Sequence, residues 1–293
     1  MKKLTLFIIT ATTALFATTS CTAKNEADDS GDERWEWGKE EETDSTEEED
    51  MYYPKEEGCF RIMSYNVGAF SKTEGYNSTN DIAAMILEAK ADAVGMQELD
   101  SCNKRNFTNQ VANLASKLDW QWYFGRAMAY RDGAYGNGVV VPKTQKIIDR
   151  YTVPIPKSEG ENSETRCIAV VETDQYVFAS THIQMHGAMV QVDVINNWVR
   201  KYDNCGKPVF LVGDFNSYPD SEAIAALEGV WHRLSSHELT AGAIKPNKCI
   251  DYIFCYKKGA PVKVIGTHAM TKFHKGDVTK TSDHLPIYAD VTF

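Results

Sequence analysis

Apolar and polar positions alternate along most of the chain in short runs that are typical of strands. These runs predict strands at Phe60–Val67, Ala93–Gln97, Trp120–Arg126, Gly138–Val141, Lys146–Val153, Arg166–Glu172, Tyr176–Ile183, Pro208–Val212, Cys249–Tyr256, Val262–His268 and Ile287–Phe293. Apolar side chains at helical spacing predict helices at Asn80–Ala89, Phe107–Leu118, Val190–Tyr202 and Ser221–Glu228. Many strands interrupted by a few well-spaced helices predict one α/β domain, in which two β-sheets pack face to face with helices outside.

The first 20 residues have a different pattern. Lys2 and Lys3 precede an apolar run from Leu4 to Ala17, which is shorter than the roughly 20 residues of a membrane-spanning helix. Small residues then lead to Cys21, as in a bacterial lipoprotein signal, although Thr18 stands where such signals usually carry Leu. An ordinary secretory signal with a chance cysteine is the alternative, and both interpretations predict export.

The lipoprotein interpretation makes residues 1–20 a signal peptide that is removed before Cys21. A lipid on Cys21 would then anchor the exported protein to a membrane of a bacterial cell envelope, either the outer membrane or the cell surface. We expect no other contact with the membrane.

An acidic segment follows, and residues 21–57 are predicted to form a lipidated, disordered linker. Sixteen acidic and four basic residues lie between Lys24 and Glu57. Such a segment repels itself and buries little apolar surface, so it should stay extended. Residues 58–293 carry 25 acidic and 25 basic residues, so the net charge of −10 belongs to the linker and not to the domain.

Polar residues that could carry chemistry follow the predicted strands: Asn66, Glu98, Asp214 and Asn216 in Gly213–Asn216, and Asp283 and His284 in Ser282–Pro286. Catalytic loops usually lie at such strand ends. Carboxylate and amide oxygens, together with an imidazole, are what a hard divalent cation and an attacking water require. The set predicts a metal-dependent hydrolase of phosphate esters.

Three further motifs lie among these in the chain: Gly136-Asn137-Gly138, Thr181-His182 and Asp251-Tyr252-Ile253. The whole set follows the order found in one enzyme superfamily. Residues 58–293 as a whole resemble the endonuclease/exonuclease/phosphatase superfamily, which includes deoxyribonuclease I, apurinic endonucleases, neutral sphingomyelinases and inositol polyphosphate 5-phosphatases. The resemblance implies a catalytic domain with a four-layer αββα sandwich, in which two packed mixed β-sheets are flanked by helices. It also implies a monomer and a Mg²⁺ cofactor, for which Mn²⁺ can substitute.

The resemblance assigns a role to each matching position. Glu98 would be the principal metal ligand with Asn66 beside it, and Asp283 would support the metal or its waters. Asp214 would orient and deprotonate the attacking water, while Asn216 would donate hydrogen bonds to the phosphate oxygens. An Asp in both of these last positions would repel the substrate.

Two histidines complete the predicted site. Asp251 would orient His284 and keep it protonated, so that the imidazolium stabilises the negative charge that grows on the phosphoryl oxygens. His182 would assist the leaving group or bind phosphate. Asn137 and Arg166 resemble substrate-binding residues on the phosphate side.

The substrate class stays open among a phosphodiester in a nucleic acid, a sphingomyelin head group and a phosphorylated inositol or sugar, with a phosphodiesterase preferred. A nuclease should show a basic groove, and the zero charge of residues 58–293 disfavours one. Lys272, His274, Lys275 and Lys280 could form a basic rim that favours an anion.

Gly68 stands where many nuclease members carry an acid, which argues against a second metal on that side. A non-catalytic, surface-binding lipoprotein is the alternative, and it should have lost some of the catalytic residues. The six central ones are all present: Glu98, Asp214, Asn216, Asp251, Asp283 and His284.

Overall fold

The computed structural model describes residues 51–158 and 163–293. Their strands are β1 (Phe60–Asn66), β2 (Ala93–Ser101), β3 (Trp120–Tyr130), β4 (Gly133–Pro142), β5 (Ile147–Ile155), β6 (Arg166–Thr173), β7 (Val177–His182), β8 (Val209–Asp214), β9 (Trp231–Arg233), β10 (Asp251–Tyr256), β11 (Lys263–Ala269) and β12 (Ile287–Thr292). Their α-helices are α1 (Thr79–Glu88), α2 (Gln110–Leu118), α3 (Ala188–Val199), α4 (Glu222–Val230) and α5 (Val278–Thr281). Short 3₁₀ turns lie at Gly68–Phe70 and Arg200–Tyr202.

The strands form two six-stranded sheets with the same pattern of parallel and antiparallel pairs. The first has the order β11-β12-β1-β2-β4-β3 and the second the order β5-β6-β7-β8-β10-β9. Each sheet holds one central parallel pair, β1 with β2 and β7 with β8, and its remaining pairs are antiparallel. The predicted pair of mixed sheets is confirmed.

Side chains of the second sheet alternate between two apolar layers, because neighbouring residues of a strand point to opposite faces. On β8, Phe210 and Val212 join the core between the sheets, whereas Val209 and Leu211 join a second core beneath α3 and α4. The helices α1 and α2 contribute to the first core from the other side of the molecule. The layers therefore run helix, sheet, sheet, helix, as predicted.

The two sheets approach each other closely at Gly95. A Cβ atom built on this glycine would lie 2.3 Å from Cγ2 of Val212 on the facing sheet. Any larger residue would push β2 away from β8. This contact matters because both strands carry predicted site residues at their ends.

Each predicted strand and helix is present, with ends shifted by a few residues. Two short elements, β9 and α5, were not predicted, because three or four residues give too little pattern to detect. The strand β2 continues beyond its predicted end at Gln97 to Ser101, through a register shift between Met96 and Leu99. Glu98 therefore lies inside a bulged strand and not after it.

The predicted linker boundary at residue 57 is too late, because the segment before β1 packs on the domain. Arg61 donates hydrogen bonds to the carbonyls of Tyr53 (2.8 Å) and Pro54 (3.0 Å), and Lys55 forms an ion pair with Asp92. The acidic composition predicted disorder here, but these contacts hold the segment in place. The predicted signal peptide and Cys21 lie outside the described residues, as does most of the linker.

Two further observations concern the described residues. None of their helices has the length and apolar character needed to cross a membrane. Their six cysteines are all unpaired.

Candidate active site

Three predicted site residues lie side by side at one end of the second sheet. Asp214 ends β8, and the strand register places it between His182 on β7 and Asp251 on β10. All three are buried. On β8, Asp214 continues the row of Phe210 and Val212, which point into the gap between the sheets. The polar row therefore begins where the apolar core ends.

His284 joins this row from the loop before β12. Its Nδ1 lies 2.9 Å from Oδ2 of Asp251, and its Nε2 lies 3.6 Å from Oδ2 of Asp214. Burial alone would lower the pKa of His284, but the negative charges of Asp251, Asp214 and Asp283 outweigh it and raise the pKa to about 10. At neutral pH the imidazole is therefore protonated, and its Nε2–H points toward Asp214.

A threonine that the sequence did not reveal supports this pair. Thr240 donates a hydrogen bond of 2.6 Å from its hydroxyl to the same Oδ2 of Asp251 that faces His284. The backbone N–H of Leu285 donates to the carbonyl of Thr240, so the same residue also holds the histidine loop. No sequence motif marks Thr240, because it meets Asp251 only in the folded chain.

Asp214 is the most strongly perturbed carboxylate of the described residues. Burial, and then the negative charge of Asp251, raise its pKa to about 7. It accepts hydrogen bonds from the side chain of Asn66 (3.0 Å) and from the backbone N–H of Asn216 (2.9 Å). Asn216 adopts a left-handed backbone with φ of 46°, which closes this turn. A buried carboxylate with a pKa near neutrality is suited to accept a proton from water.

His182 is neutral, in contrast to His284. Burial, and then the positive charges of Arg166 and His284, lower its pKa well below the usual value. Both ring nitrogens of His182 face a side-chain donor: Nη1 of Arg166 lies 3.3 Å from Nδ1, and Nδ2 of Asn216 lies 2.9 Å from Nε2. Nδ2 of Asn216 also donates to the carbonyl of Ile183 (3.1 Å), and Nε2 of His182 lies 3.5 Å from Oδ2 of Asp214.

The predicted cation ligands lie next to this row, on the first sheet. Asn66 ends β1, and its Nδ2 donates to Oε1 of Glu98 (3.1 Å) as well as to Asp214. Glu98 adopts a left-handed backbone with φ of 61° at the bulge of β2, which is strained for a non-glycine residue. A lysine, Lys72, reaches Oδ2 of Asp283 (2.9 Å) and Oε2 of Glu98 (3.9 Å). The structure thus brings all three predicted ligands together.

The donor set decides which residues can hold a divalent cation. Glu98 and Asp283 offer carboxylate oxygens, which suit Mg²⁺ and Mn²⁺. The amide oxygen of Asn66 accepts a hydrogen bond from the backbone N–H of Gly68 (3.1 Å), so Asn66 faces Glu98 with its nitrogen and orients that carboxylate. Among the described residues, Asp214, Asp251 and His284 also bring ligand atoms within 4.8 Å of one another. That second group is unsuited to a metal, because His284 is protonated and its Nδ1 faces Asp251. The donor chemistry therefore favours the carboxylates of Glu98 and Asp283 for a cation.

The two predicted phosphate-side residues differ in position. Arg166 contacts His182 and forms an ion pair of 3.0 Å with Glu164, so it adjoins the site. Asn137 is buried, and its Nδ2 donates to the carbonyl of Cys167 at 2.9 Å. That amide donor joins β4 to β6 and is not available to a phosphate, so its predicted role does not fit the structure.

A cavity of about 440 Å³ opens over the site. Glu98, Asp214, Asn216 and His284 line one side, and the loop between β9 and β10 lines the other with Asn247, Lys248 and neighbouring residues. The predicted basic rim is absent from this lining: Lys272, His274, Lys275 and Lys280 all lie elsewhere, and Lys280 pairs with Asp277 at 3.4 Å.

Solved structures of similar fold cover most of the chain. A mannosyl-6-phosphatase of Bacteroides thetaiotaomicron has a TM-score of 0.63 and 17% identity, over 80% of this chain and 100% of that one. A protein of unknown function from Enterococcus faecalis has a TM-score of 0.64 and 17% identity, over 80% of this chain and 99% of that one. The catalytic domain of human nocturnin with bound sulfate has a TM-score of 0.61 and 17% identity, over 80% of this chain and 94% of that one. These likenesses concern the fold.

No curated protein sequence matches the chain. The family model described as "Endonuclease/Exonuclease/phosphatase family", whose members hydrolyse phosphate esters with a divalent metal, matches residues 63–284, more than half of the chain. This match runs from the middle of β1 to His284 and includes every predicted site residue. The chain therefore belongs to the endonuclease/exonuclease/phosphatase family.

Proposed function

We propose that this protein is a divalent-cation-dependent hydrolase of phosphate esters, acting by in-line attack of a water on phosphorus. The row of Asp251, His284 and Asp214 carries the proposal. Within 3.6 Å it combines a carboxylate whose pKa is near neutrality with an imidazolium. A proton acceptor and a proton donor at this spacing are the parts that hydrolysis requires.

The reaction assigns one task to each side chain. Asp214 accepts a proton from the attacking water while the oxygen of that water bonds to phosphorus. The P–O ester bond breaks, and the leaving oxygen takes up a proton from solvent and departs as an alcohol. Protonated His284 faces the phosphoryl oxygens and stabilises their growing charge, with the side chains of Asn216 and His182 beside them. A divalent cation would be held by Glu98 and Asp283, with Asn66 orienting Glu98, and would supply further positive charge when bound.

For the substrate we propose a phosphodiester with a small head group. The cavity of about 440 Å³ is closed on one side by the β9–β10 loop, which suits a compact sugar, inositol or lipid head group better than a polymer. Lys248 and protonated His284 are the cationic residues of its lining, and a nucleic-acid groove would require more. A phosphomonoester is the second candidate, because a relative of this fold is described as a mannosyl-6-phosphatase.

The activity can be tested with bis-p-nitrophenyl phosphate and p-nitrophenyl phosphate, with Mg²⁺ or Mn²⁺ and in excess chelator. We expect hydrolysis that chelator abolishes and that Asp214→Asn lowers roughly 10²–10⁴-fold. Activity that persists in chelator would reject the cation. Plasmid DNA, sphingomyelin, inositol phosphates and mannose 6-phosphate, compared at fixed Mg²⁺, then rank the substrate classes.

We include export and anchoring in the same proposal: the signal peptide directs export, and a lipid on Cys21 holds the protein at the envelope surface. The domain acts there as a monomer. Export and anchoring are supported by the sequence pattern before Cys21. Replacing Cys21 with Ser should release the protein from the membrane fraction of a bacterial host. A Cys21→Ser protein that stays in that fraction would reject lipid anchoring, and sedimentation equilibrium would test the monomer.

A further inference from the structure

A lysine lies between two of the carboxylates assigned to the cation. Nζ of Lys72 is 2.9 Å from Oδ2 of Asp283 and 3.9 Å from Oε2 of Glu98. The ammonium thus neutralises part of the charge that would attract a metal ion. A cation that binds these oxygens must share them with Lys72 or replace it.

The backbone at Gly68 gives Lys72 its path to the site. Gly68 has a φ of +51°, and a Cβ atom there would lie 2.3 Å from Cγ and 2.4 Å from Cε of Lys72. The lysine stem therefore lies directly over the glycine, in space that a larger residue would fill.

We propose that Lys72 competes with the divalent cation for Glu98 and Asp283 and thereby sets the cation affinity of the site. This inference rests on the proposed function, because it takes these carboxylates as cation ligands. A divalent ion repels an ammonium a few ångströms away, so cation binding favours displacement of the lysine. The Lys72 side chain is 36% exposed and can swing toward solvent on its flexible stem.

The test is calorimetric titration of the full chain with Mg²⁺ alone. Lys72→Met removes the charge and keeps the length of the stem, and we expect it to tighten the Mg²⁺ Kd about tenfold. Lys72→Arg keeps the charge and should stay near the unaltered protein. Lys248→Met is the matched control: it removes a lysine from the cavity wall that makes no ion pair with Glu98 or Asp283 in the described residues, and it should change the Kd less than about twofold.

The outcomes separate this inference from the proposed function. A Lys72→Met protein whose Kd is equal to or weaker than that of the unaltered chain overturns the competition, provided that Glu98→Gln weakens binding. If Glu98→Gln has no effect on Mg²⁺ binding, or if the unaltered chain binds none, the cation does not use this site and the proposed function fails with it.

Thermal unfolding gives a second measurement that does not depend on catalysis. Without Mg²⁺, Lys72→Met should unfold at a lower temperature than the unaltered chain, because Glu98 and Asp283 then repel each other unscreened. Saturating Mg²⁺ should close or reverse this difference, because the ion stabilises the variant more strongly. A difference that is the same with and without Mg²⁺ would show a structural lysine and overturn the inference.

Discussion

Replacing Asp251 with Asn should move the whole pH profile of the enzyme toward acid. The carboxylate of Asp251 is the first of the influences that raise the pKa of His284, to about 10, against the opposing effect of burial. It is also the second influence, after burial, that raises the pKa of Asp214. Removing one negative charge therefore lowers both values. The base ionises at lower pH, and the imidazolium also loses its proton at lower pH.

The size of the effect follows from the protonated fraction of His284. Without Asp251, burial opposes the remaining charges of Asp214 and Asp283, so we take the ordinary value of about 6.5 for the pKa of His284. At pH 8 only about 3% of the imidazole would then be protonated, which costs roughly 30-fold in kcat/KM. At pH 6 about three quarters remain protonated, so this loss nearly disappears. The effect should therefore grow with pH.

The assay is kcat/KM for bis-p-nitrophenyl phosphate between pH 5 and pH 10 at fixed Mg²⁺, with folding checked by circular dichroism. Thr240→Val is the matched control, since it removes a hydrogen bond of 2.6 Å to the same carboxylate oxygen but leaves the charge. It should shift the profile much less. An Asp251→Asn loss of equal size at every pH would refute the reasoning and leave Asp251 only the orientation of the ring.

Two further substitutions test the site and the fold. Asn216→Asp keeps a residue type that tolerates the φ of 46° but places a second carboxylate beside Asp214. We expect kcat/KM to fall roughly 10²-fold, because the added charge repels the phosphate. Near-normal turnover would contradict a contact between Asn216 and phosphate. Arg61→Met leaves Asp290 buried without the guanidinium that now contacts it at 2.7 and 2.6 Å, and urea unfolding should show a loss of about 3–5 kcal/mol. If the double variant Arg61→Met/Asp290→Leu regains the lost free energy of unfolding, the unpaired Asp290 is the cause. A loss below about 1 kcal/mol in Arg61→Met would contradict this explanation.

Much of the fold could be predicted because each strand shows its burial in its own sequence. The strand β8 is apolar on both faces, since Val209 and Leu211 face the helices while Phe210 and Val212 face the other sheet. Motif order then predicted that Asp214 and its neighbours would meet. Strand pairing explains why they do: the register sets His182, Asp214 and Asp251 in one row.

The remaining features depend on tertiary contacts that leave no local pattern. The bulge that turns Glu98 toward the site is one, since its sequence looks like a strand end. Thr240 and Lys72 are others: Thr240 meets Asp251 when the loop between β9 and β10 folds back, and Lys72 meets Asp283 from a distant part of the chain. Asn137 shows the opposite error: its motif was present, yet its amide is used by the backbone of β6.

The two sheets divide the chemistry, and one amide connects the halves. In the proposed mechanism, the first sheet supplies Glu98 for the cation, with Asn66 beside it, and the second supplies Asp214 for proton transfer. Nδ2 of Asn66 donates to both carboxylates, at 3.1 and 3.0 Å. The spacing between cation and base is therefore fixed by how closely the sheets pack, which the contact of Gly95 with Val212 limits. A sandwich whose apolar core sets this distance can change its surface loops, and hence its substrate, while the reacting groups stay in place.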